Sequence, residues 1–270
     1  MTVHEQTGVL YTLCETSSPD TVLLLVHGLG AHRGRWESLS RFFQQKGIAS
    51  YAIDLQGFGE TRGVKGHINS FRAYFDDIRA LRAIISREYR EAKVFLIGES
   101  LGGLIVFLQA VIDPVLFSGL VCISPAFKSK LQLLPFDYIK IFASLLFNPK
   151  RQFSLPFNAR MRTRDTDFQA VIQKDEKEHR LASSKLLINT VLAQMRAGFL
   201  TTKLTIPALF LLAGEDLLVD SKASLNIFNR LRIKDKTIIQ YPDMYHALSI
   251  DIGREKVFED ILKWVRKRLP

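Results

Sequence analysis

The stretch Lys93-Val94-Phe95-Leu96-Ile97-Gly98-Glu99-Ser100-Leu101-Gly102-Gly103 decides the fold. Lys93–Ile97 is an apolar run of strand length, and Leu101–Ile112 behind it reads as a helix. Between them, Gly98-Glu99-Ser100-Leu101-Gly102 fits Gly-x-Ser-x-Gly, a serine held in a turn too tight for Cβ atoms on either side. Gly103 is expected to let the following helix approach the sheet. A glycine-rich turn with a solvent-facing serine is the bland alternative. The strand before and the helix after favour a nucleophile.

Working outward, similar apolar runs recur at Thr21–Val26, Ile48–Ile53, Gly119–Ile123, Ala208–Leu212 and Thr237–Tyr241. Trp36–Lys46, Phe71–Tyr89, Ser221–Leu231 and Arg254–Arg268 read as helices between or after them. Phe71, Phe75, Ile78, Leu81 and Ile85, for example, fall at three- and four-residue spacing. Continuous apolar strands alternating with amphipathic helices predict an α/β fold with a mostly parallel sheet flanked by helices. Val9–Leu13 is read as an additional N-terminal strand. The alternation stops near Ser124 and resumes near Leu204. Residues 1–124 and 204–270 are therefore expected to form one core, and 125–203 a helical cap inserted over the sheet's carboxyl edge. Within the insertion lies Leu131–Phe147 (LQLLPFDYIKIFASLLF), whose polar positions from Asp137 onward are a narrow stripe of Asp137, Lys140 and Ser144, continued by Asn148. So apolar a helix must be buried, bind something greasy or touch lipid.

A chain of 270 residues with 47% hydrophobic and 24% charged residues can fill a sizeable core, which excludes disorder and stapled mini-proteins. Its two cysteines, Cys14 and Cys122, are neither a disulfide framework nor a metal cluster and suit a reducing compartment. Residues Met1–Gln6 lack a basic stretch followed by an apolar run, and no segment reaches the roughly 18–20 apolar residues of a membrane span. A cytoplasmic protein without a secretory leader is expected. The net charge of +10 is concentrated: between Pro125 and Lys203 there are 14 Lys and Arg against 6 Asp and Glu. That face could meet anionic lipid or acidic substrates, or simply be solvated. No nucleic-acid motif appears, so no nucleic-acid partner is expected. No Cys/His or carboxylate cluster has metal-site spacing, and no Gly-rich loop matches a phosphate cradle, so neither metal nor cofactor is expected.

A serine hydroxyl needs a base. In a sheet of this type the chain order is serine, acid, histidine, which leaves His179 and His246 of the six histidines. His179 lies in the charged run that begins Lys174-Asp175-Glu176-Lys177-Glu178 and reads as part of an exposed helix face. His246 falls in a loop between the last strand and the last helix, and is the preferred base. Asp216, at the exit of Ala208–Leu212, is the preferred acid, with Glu215, Asp220 and Asp243 as rivals. Asp220 reads as the cap of the helix starting at Ser221, and Asp243 as a turn residue. The developing oxyanion needs two donors. The backbone N–H groups of Leu101 and of Leu29, in His27-Gly28-Leu29-Gly30, are assigned to it. His27 is read as a brace for that loop.

These residues resemble the α/β-hydrolase superfamily, and within it the monoacylglycerol lipase and lysophospholipase-like serine hydrolase group. The likeness runs nearly the full length, through His27–His32 with Arg35-Trp36, Asp54–Gly59, Gly63–His67, Gly98–Gly103, Arg164-Asp165, Gly214–Asp220 and Tyr245-His246. The resemblance implies a Ser100, Asp216 and His246 triad, an oxyanion hole at Leu29 and Leu101, and a cap whose apolar helices line an acyl-chain tunnel and rest on membranes. It departs at Phe58 and Thr61, where many members have His and Ser, at Asp175-Glu176-Lys177 in place of Asp-Pro-Leu, and at Glu99, which is closer to the plant-type branch. The expected activity is hydrolysis of single-chain lipid esters, above all monoacylglycerols. Lysophospholipase and short-chain carboxylesterase activity stand next, then peptidase, amidase or thioesterase chemistry, and last a non-catalytic binding protein. The expected partners are a small ester or lipid substrate and peripheral contact of the basic, apolar cap with membrane.

Overall fold

The computed structural model describes residues 1–131 and 135–269. Strands β1 (Thr2–Gln6), β2 (Val9–Cys14), β3 (Thr21–Val26), β4 (Ala49–Ile53), β5 (Lys93–Glu99), β6 (Gly119–Ile123), β9 (Ala208–Ala213) and β10 (Lys236–Tyr241) form one eight-stranded sheet in the order β1-β2-β4-β3-β5-β6-β9-β10. The pairings from β4 to β10 are parallel, while β1 and β2 run antiparallel at one edge. Successive residues of β3 serve opposite faces. Val22, Leu24 and Val26 join one core cluster, and Leu23 and Leu25 join the other. The first is covered by helices α2 (Arg72–Glu88), α3 (Leu101–Ile112) and α8 (Ser221–Arg230), and the second by α1 (Glu37–Gln44) and α9 (Arg254–Arg266). That two-sided burial is why β3 is apolar at every position from Val22 to Val26 rather than at alternate ones.

The sequence expectations place the core elements to within two or three residues at each end. Strand β1 is absent from them. All five of its residues are exposed, so it has no apolar pattern to read. It pairs through a two-residue turn whose Thr7 and Gly8 both have positive φ, 52° and 79°, the geometry that matches strand twist in a tight hairpin.

Between β6 and β9 the chain leaves the sheet. It forms α4 (Pro135–Phe147), β7 (Gln152–Ser154), α5 (Ala159–Arg162), α6 (Thr166–Lys174), β8 (Leu181–Ser183) and α7 (Ser184–Leu200), with β7 and β8 paired in a small sheet of their own. Of the helical stretch expected over Leu131–Phe147, residues 132–134 lie outside the described residues. Contacts to the core are made at the carboxyl ends of the strands. The His179 N–H donates to Gly30 O (2.9 Å) after β3, and Ala247 N–H donates to Arg162 O (2.8 Å) after β10. Helix α7 packs on α3. Helix α4 is inside out: Ser144 of its polar stripe is buried and Asp137 and Lys140 are half-buried, while Phe136, Ile139, Phe142, Leu146 and Phe147 are exposed. Ser144 Oγ–H donates back to Ile141 O (3.0 Å), which satisfies the hydroxyl within its own helix.

Candidate active site

Ser100 is the junction between β5 and α3 and has φ 57° and ψ −119°, a conformation an L-residue adopts only when its surroundings enforce it. The surroundings are hydrogen bonds on both sides. Ser100 N–H donates to Ile123 O (2.9 Å), and its carbonyl accepts from Ala126 N–H (2.9 Å) and Leu104 N–H (3.2 Å). Close packing restricts the turn: a Cβ on Gly102 would stand 2.2 Å from Val26 O, which makes that glycine obligatory, and one on Gly28 would stand 3.0 Å from Ser100 Cβ, so the serine would have to shift. The approach of α3 to the sheet thus needs Gly102 as well as Gly103, on which a Cβ would stand 3.3 Å from Gly98 O in β5. A Cβ on Gly103 would also strike Pro125 Cα at 2.9 Å, where the chain leaves β6.

His246 follows β10 and is buried. Its Nδ1–H donates to Asp216 Oδ2 at 2.8 Å, and Asp216 Oδ1 accepts the backbone N–H groups of Leu218 (2.8 Å) and Val219 (2.9 Å). Burial alone would push the Asp216 carboxyl up, but the facing His246 and those two N–H groups outweigh it and hold the carboxyl below its ordinary value. With Nδ1 donating to a carboxylate, Nε2 is left with its lone pair. The rival acids stand elsewhere. Glu215 and Asp243 are exposed, and Asp220 caps α8, accepting from Lys222 N–H (3.0 Å). His179 is not on a helix face. The charged run turns back after α6 because Asp175 and Glu178 are drawn to the core, and His179 is left half-buried against Gly30.

Ser100 and His246 line one cavity of about 410 Å³, together with Leu29 and Leu101. Among the described residues the backbone N–H groups of Leu29 and Leu101 donate to no protein acceptor, and Leu101 opens α3, where helical N–H groups have no partner within the helix. The remaining wall is largely apolar: Leu131, Tyr138, Ile141 and Phe142 on one side, Leu186, Leu187 and Val191 of α7 on another, with Leu155, Phe157 and Leu218. His27 lies beneath the Leu29 loop. Its Nδ1–H donates to Gly28 O (2.8 Å), its Nε2 accepts from Leu55 N–H (3.0 Å), and Phe58 packs edge-on against its ring. Burial pushes this imidazole down to about 4, so it stays neutral as a brace.

Three groups of residues at this site escape sequence reasoning. Arg35 of the core and Arg162 of α5 both bind Glu178 (2.9 and 2.8 Å), and Asp175 binds His32 and Arg35 (2.8 and 2.7 Å). The charged run is therefore an ion-paired joint and not a solvated face. Helix α7 supplies cavity wall, yet no motif marks it beyond Ser183, whose Oγ accepts from Leu186 N–H (3.1 Å) as an N-cap. Glu99 holds Ser249 through both carboxylate oxygens (3.0 and 2.9 Å) across 150 residues of sequence.

Residues 17–253 match the family model described as serine aminopeptidase, S33. The chain belongs to this family. Among curated relatives of this serine hydrolase, the monoglyceride lipase of Mus musculus is 27% identical over 267 residues, covering 94% of the chain and 85% of the mouse protein. A phospholipase of Bacillus subtilis is 26% identical over 245 residues, covering 89% and 93%. Among solved structures, the monoacylglycerol lipase of Paleococcus ferrophilus superposes with a TM-score of 0.87 at 26% identity, over 97% of this chain and 99% of that one. The hydrolase therefore has the α/β-hydrolase fold, with lipases among its relatives.

Proposed function

We propose that the hydrolase cleaves the ester bond of monoacylglycerols, with Ser100 as nucleophile, His246 as general base and Asp216 as the carboxylate that fixes the imidazole's tautomer. Ser100 Oγ attacks the ester carbonyl as Nε2 of His246 takes its proton, and the oxyanion is received by the N–H groups of Leu29 and Leu101. The imidazolium then protonates the leaving glycerol. Water, deprotonated by the same His246, releases the fatty acid from the acyl-enzyme.

The observation that carries this reading is a single cavity holding the strained serine and the carboxylate-bound histidine in walls otherwise mostly apolar. Such a cavity suits an acyl chain. The head group follows from charge. Arg35 and Arg162 also line the cavity, but Glu178 and Asp175 neutralise them, and Glu99 adds a further acid. Among the described residues no free cation is presented there to a phosphate, which favours neutral glycerol over a lysophospholipid. Glu99 gives little to an amine-bearing peptide substrate either, because both of its oxygens are taken by Ser249.

The substrate reaches the site from lipid through residues 125–203 acting as a cap. Helix α4 turns Leu146 and Phe147 outward at 82% and 87% exposure, and the neighbouring α7 exposes Met195 and Phe199. Together with a basic insertion, this apolar face suits shallow contact with a membrane surface. Among the described residues no helix is long and apolar enough to cross one.

The test is a panel of monoacylglycerols of increasing chain length beside lysophosphatidylcholine, acetyl esters and peptide amides, with Ser100→Ala as control. Long-chain monoacylglycerols should be hydrolysed fastest. Cleavage of acetyl esters alone, or amides cleaved faster than esters, would overturn the assignment.

A further inference from the structure

We propose that Glu99 is a positioning residue, clamping the loop that carries His246 to the strand that carries Ser100. The inference rests on the reading of Ser100 and His246 as the reacting pair. Glu99 is the last residue of β5, and its neighbour Ser100 begins the turn. Its Oε1 accepts the backbone N–H of Ser249 (3.0 Å) and its Oε2 accepts the Ser249 hydroxyl (2.9 Å). Ser249 lies three residues beyond His246 and is buried.

The reason for such a clamp lies in what else holds this loop. On one flank the partners belong to the inserted segment. Ala247 N–H donates to Arg162 O (2.8 Å), and Asp251 accepts from Thr163 Oγ1–H (3.0 Å) and from Arg164 N–H (2.7 Å) and Nε–H (3.0 Å). On the core flank, Glu215 N–H donates to Met244 O (3.1 Å) just before His246, and Leu248 just after it is buried in the core cluster under α1 and α9. On the core side, the side chains bonded to residues 246–249 are Asp216 and Glu99 among the described residues. Asp216 fixes the imidazole's rotation, and Glu99 fixes its distance from the nucleophile. The groups that face Glu99 are the His246 imidazole and the Arg162 guanidinium, with Glu178 and Arg35 behind Arg162 and Asp216 beyond the imidazole. Burial pushes the Glu99 carboxyl up, and the Ser249 N–H, His246, the Ser249 hydroxyl and Arg162 pull it part of the way back. A bidentate clamp is the use of a carboxylate that the reaction itself leaves idle.

The test compares Glu99→Leu, Glu99→Gln, Ser249→Ala and the double variant Glu99→Leu/Ser249→Ala, with kcat and KM measured on one monoacylglycerol per mole of protein folded by near-ultraviolet circular dichroism. Leucine keeps the bulk and loses the clamp, so kcat should fall about 100-fold, the scale of an ångström's misplacement, with KM within twofold. Glutamine can accept from the Ser249 N–H and donate to its hydroxyl, so it should restore kcat to within about threefold of wild type. The double variant should be no slower than Glu99→Leu, because both changes cut one tie. A kcat for Glu99→Leu within twofold of wild type overturns the proposal, as does a loss carried by KM alone. So does a glutamine variant as slow as leucine, which would make charge and not position the contribution, or losses that multiply in the double variant. If Glu99→Leu does not fold, Ser249→Ala and Glu99→Gln decide it, the former expected about 10-fold slower and the latter near wild type. Ser100→Ala separates the two readings: activity surviving there removes the nucleophile assignment, whereas an inert Ser100→Ala beside a fully active Glu99→Leu removes only the clamp.

Discussion

Asp216→Asn probes the site with almost no change of shape. In the native arrangement Oδ1 accepts two backbone N–H groups, from Leu218 and Val219, and Oδ2 accepts one from His246 Nδ1. An asparagine in this place must choose which end faces which partner. Turning its NH2 toward Leu218 and Val219 would set donor against two donors in a buried loop, at a cost of about 1–3 kcal/mol for each unsatisfied group. The amide oxygen therefore keeps the two N–H groups, and the NH2 points at His246. Nδ1 must then accept, so the ring proton moves to Nε2, and no lone pair remains to take the Ser100 proton. The fold should survive, with an unfolding free energy within about 1 kcal/mol of wild type, while kcat falls about 10⁴-fold, or about 5 kcal/mol of transition-state stabilisation. Steady-state hydrolysis of a monoacylglycerol, with fluorophosphonate labelling of Ser100 as a second readout, measures this. Asp216→Ala should differ in kind. It leaves both N–H groups without an acceptor and should lower stability as well as rate. An Asp216→Asn enzyme within tenfold of wild type would refute the reasoning, because it would mean that the base does not depend on this carboxylate.

Three further outcomes are expected. The His27 imidazole is held near 4 by burial, below its ordinary 6.5, so below pH 6.5 the unfolded chain binds a proton that the folded one refuses. Stability is therefore lost as pH falls from 6.5 to 4, by about 3 kcal/mol, and urea denaturation of His27→Gln should show a pH dependence weaker by that amount. Gly28→Ala adds a methyl 3.0 Å from Ser100 Cβ and 3.3 Å from Glu99 O, and the serine must yield by a few tenths of an ångström. Its kcat should drop about tenfold, with KM nearly unchanged; full activity would show the turn to be looser than its contacts imply. Replacing the outward Leu146 and Phe147 by glutamate should cut co-sedimentation with phosphatidylglycerol-containing vesicles at least tenfold, since each buried apolar side chain contributes about 1.5–3 kcal/mol. Hydrolysis of a dissolved short-chain ester should be unaffected, and unchanged vesicle binding would exclude this face as the contact.

What the sequence discloses follows from the range of the forces involved. Strands buried on both faces announce themselves, because Val22–Val26 is an unbroken apolar run, and the Ser100 turn is legible because sterics there admit only glycine at Gly98 and Gly102. Chain order points to Asp216, which follows the end of β9 and is the acid that His246 Nδ1–H meets. Partners set by distant packing are silent. Nothing near Arg35 points to Glu178, 143 residues away, and nothing near Glu99 points to Ser249. Helix α4 is a case between. Its composition says that something greasy must be met, but its polar stripe is turned inward, an orientation fixed by the surface it lies on and not by its own pattern.

The joint between inserted segment and core shows why those silent contacts matter. Ion pairs this little exposed add modestly to stability, because the cost of removing each charge from water offsets most of the attraction. Their geometric demands are strict, however, and here they fall on the two loops that flank Ser100. Asp175 and Glu178 grip His32 and Arg35, in the loop that follows Leu29, while Asp251, in the loop that follows His246, grips Arg164. A charged joint around an apolar cavity keeps the segment in one register while its greasy faces remain free to admit a chain. The same joint would drag both loops with the segment were they not also tied inward, His27 by Leu55 N–H and the His246 loop by Asp216 and Glu99. On the proposed mechanism, the inward ties set the spacing of Ser100 and His246 and the outward ties the placement of the inserted segment. A substitution such as Arg164→Ala, on the outward side, should alter chain-length preference before it alters the rate on a small soluble ester.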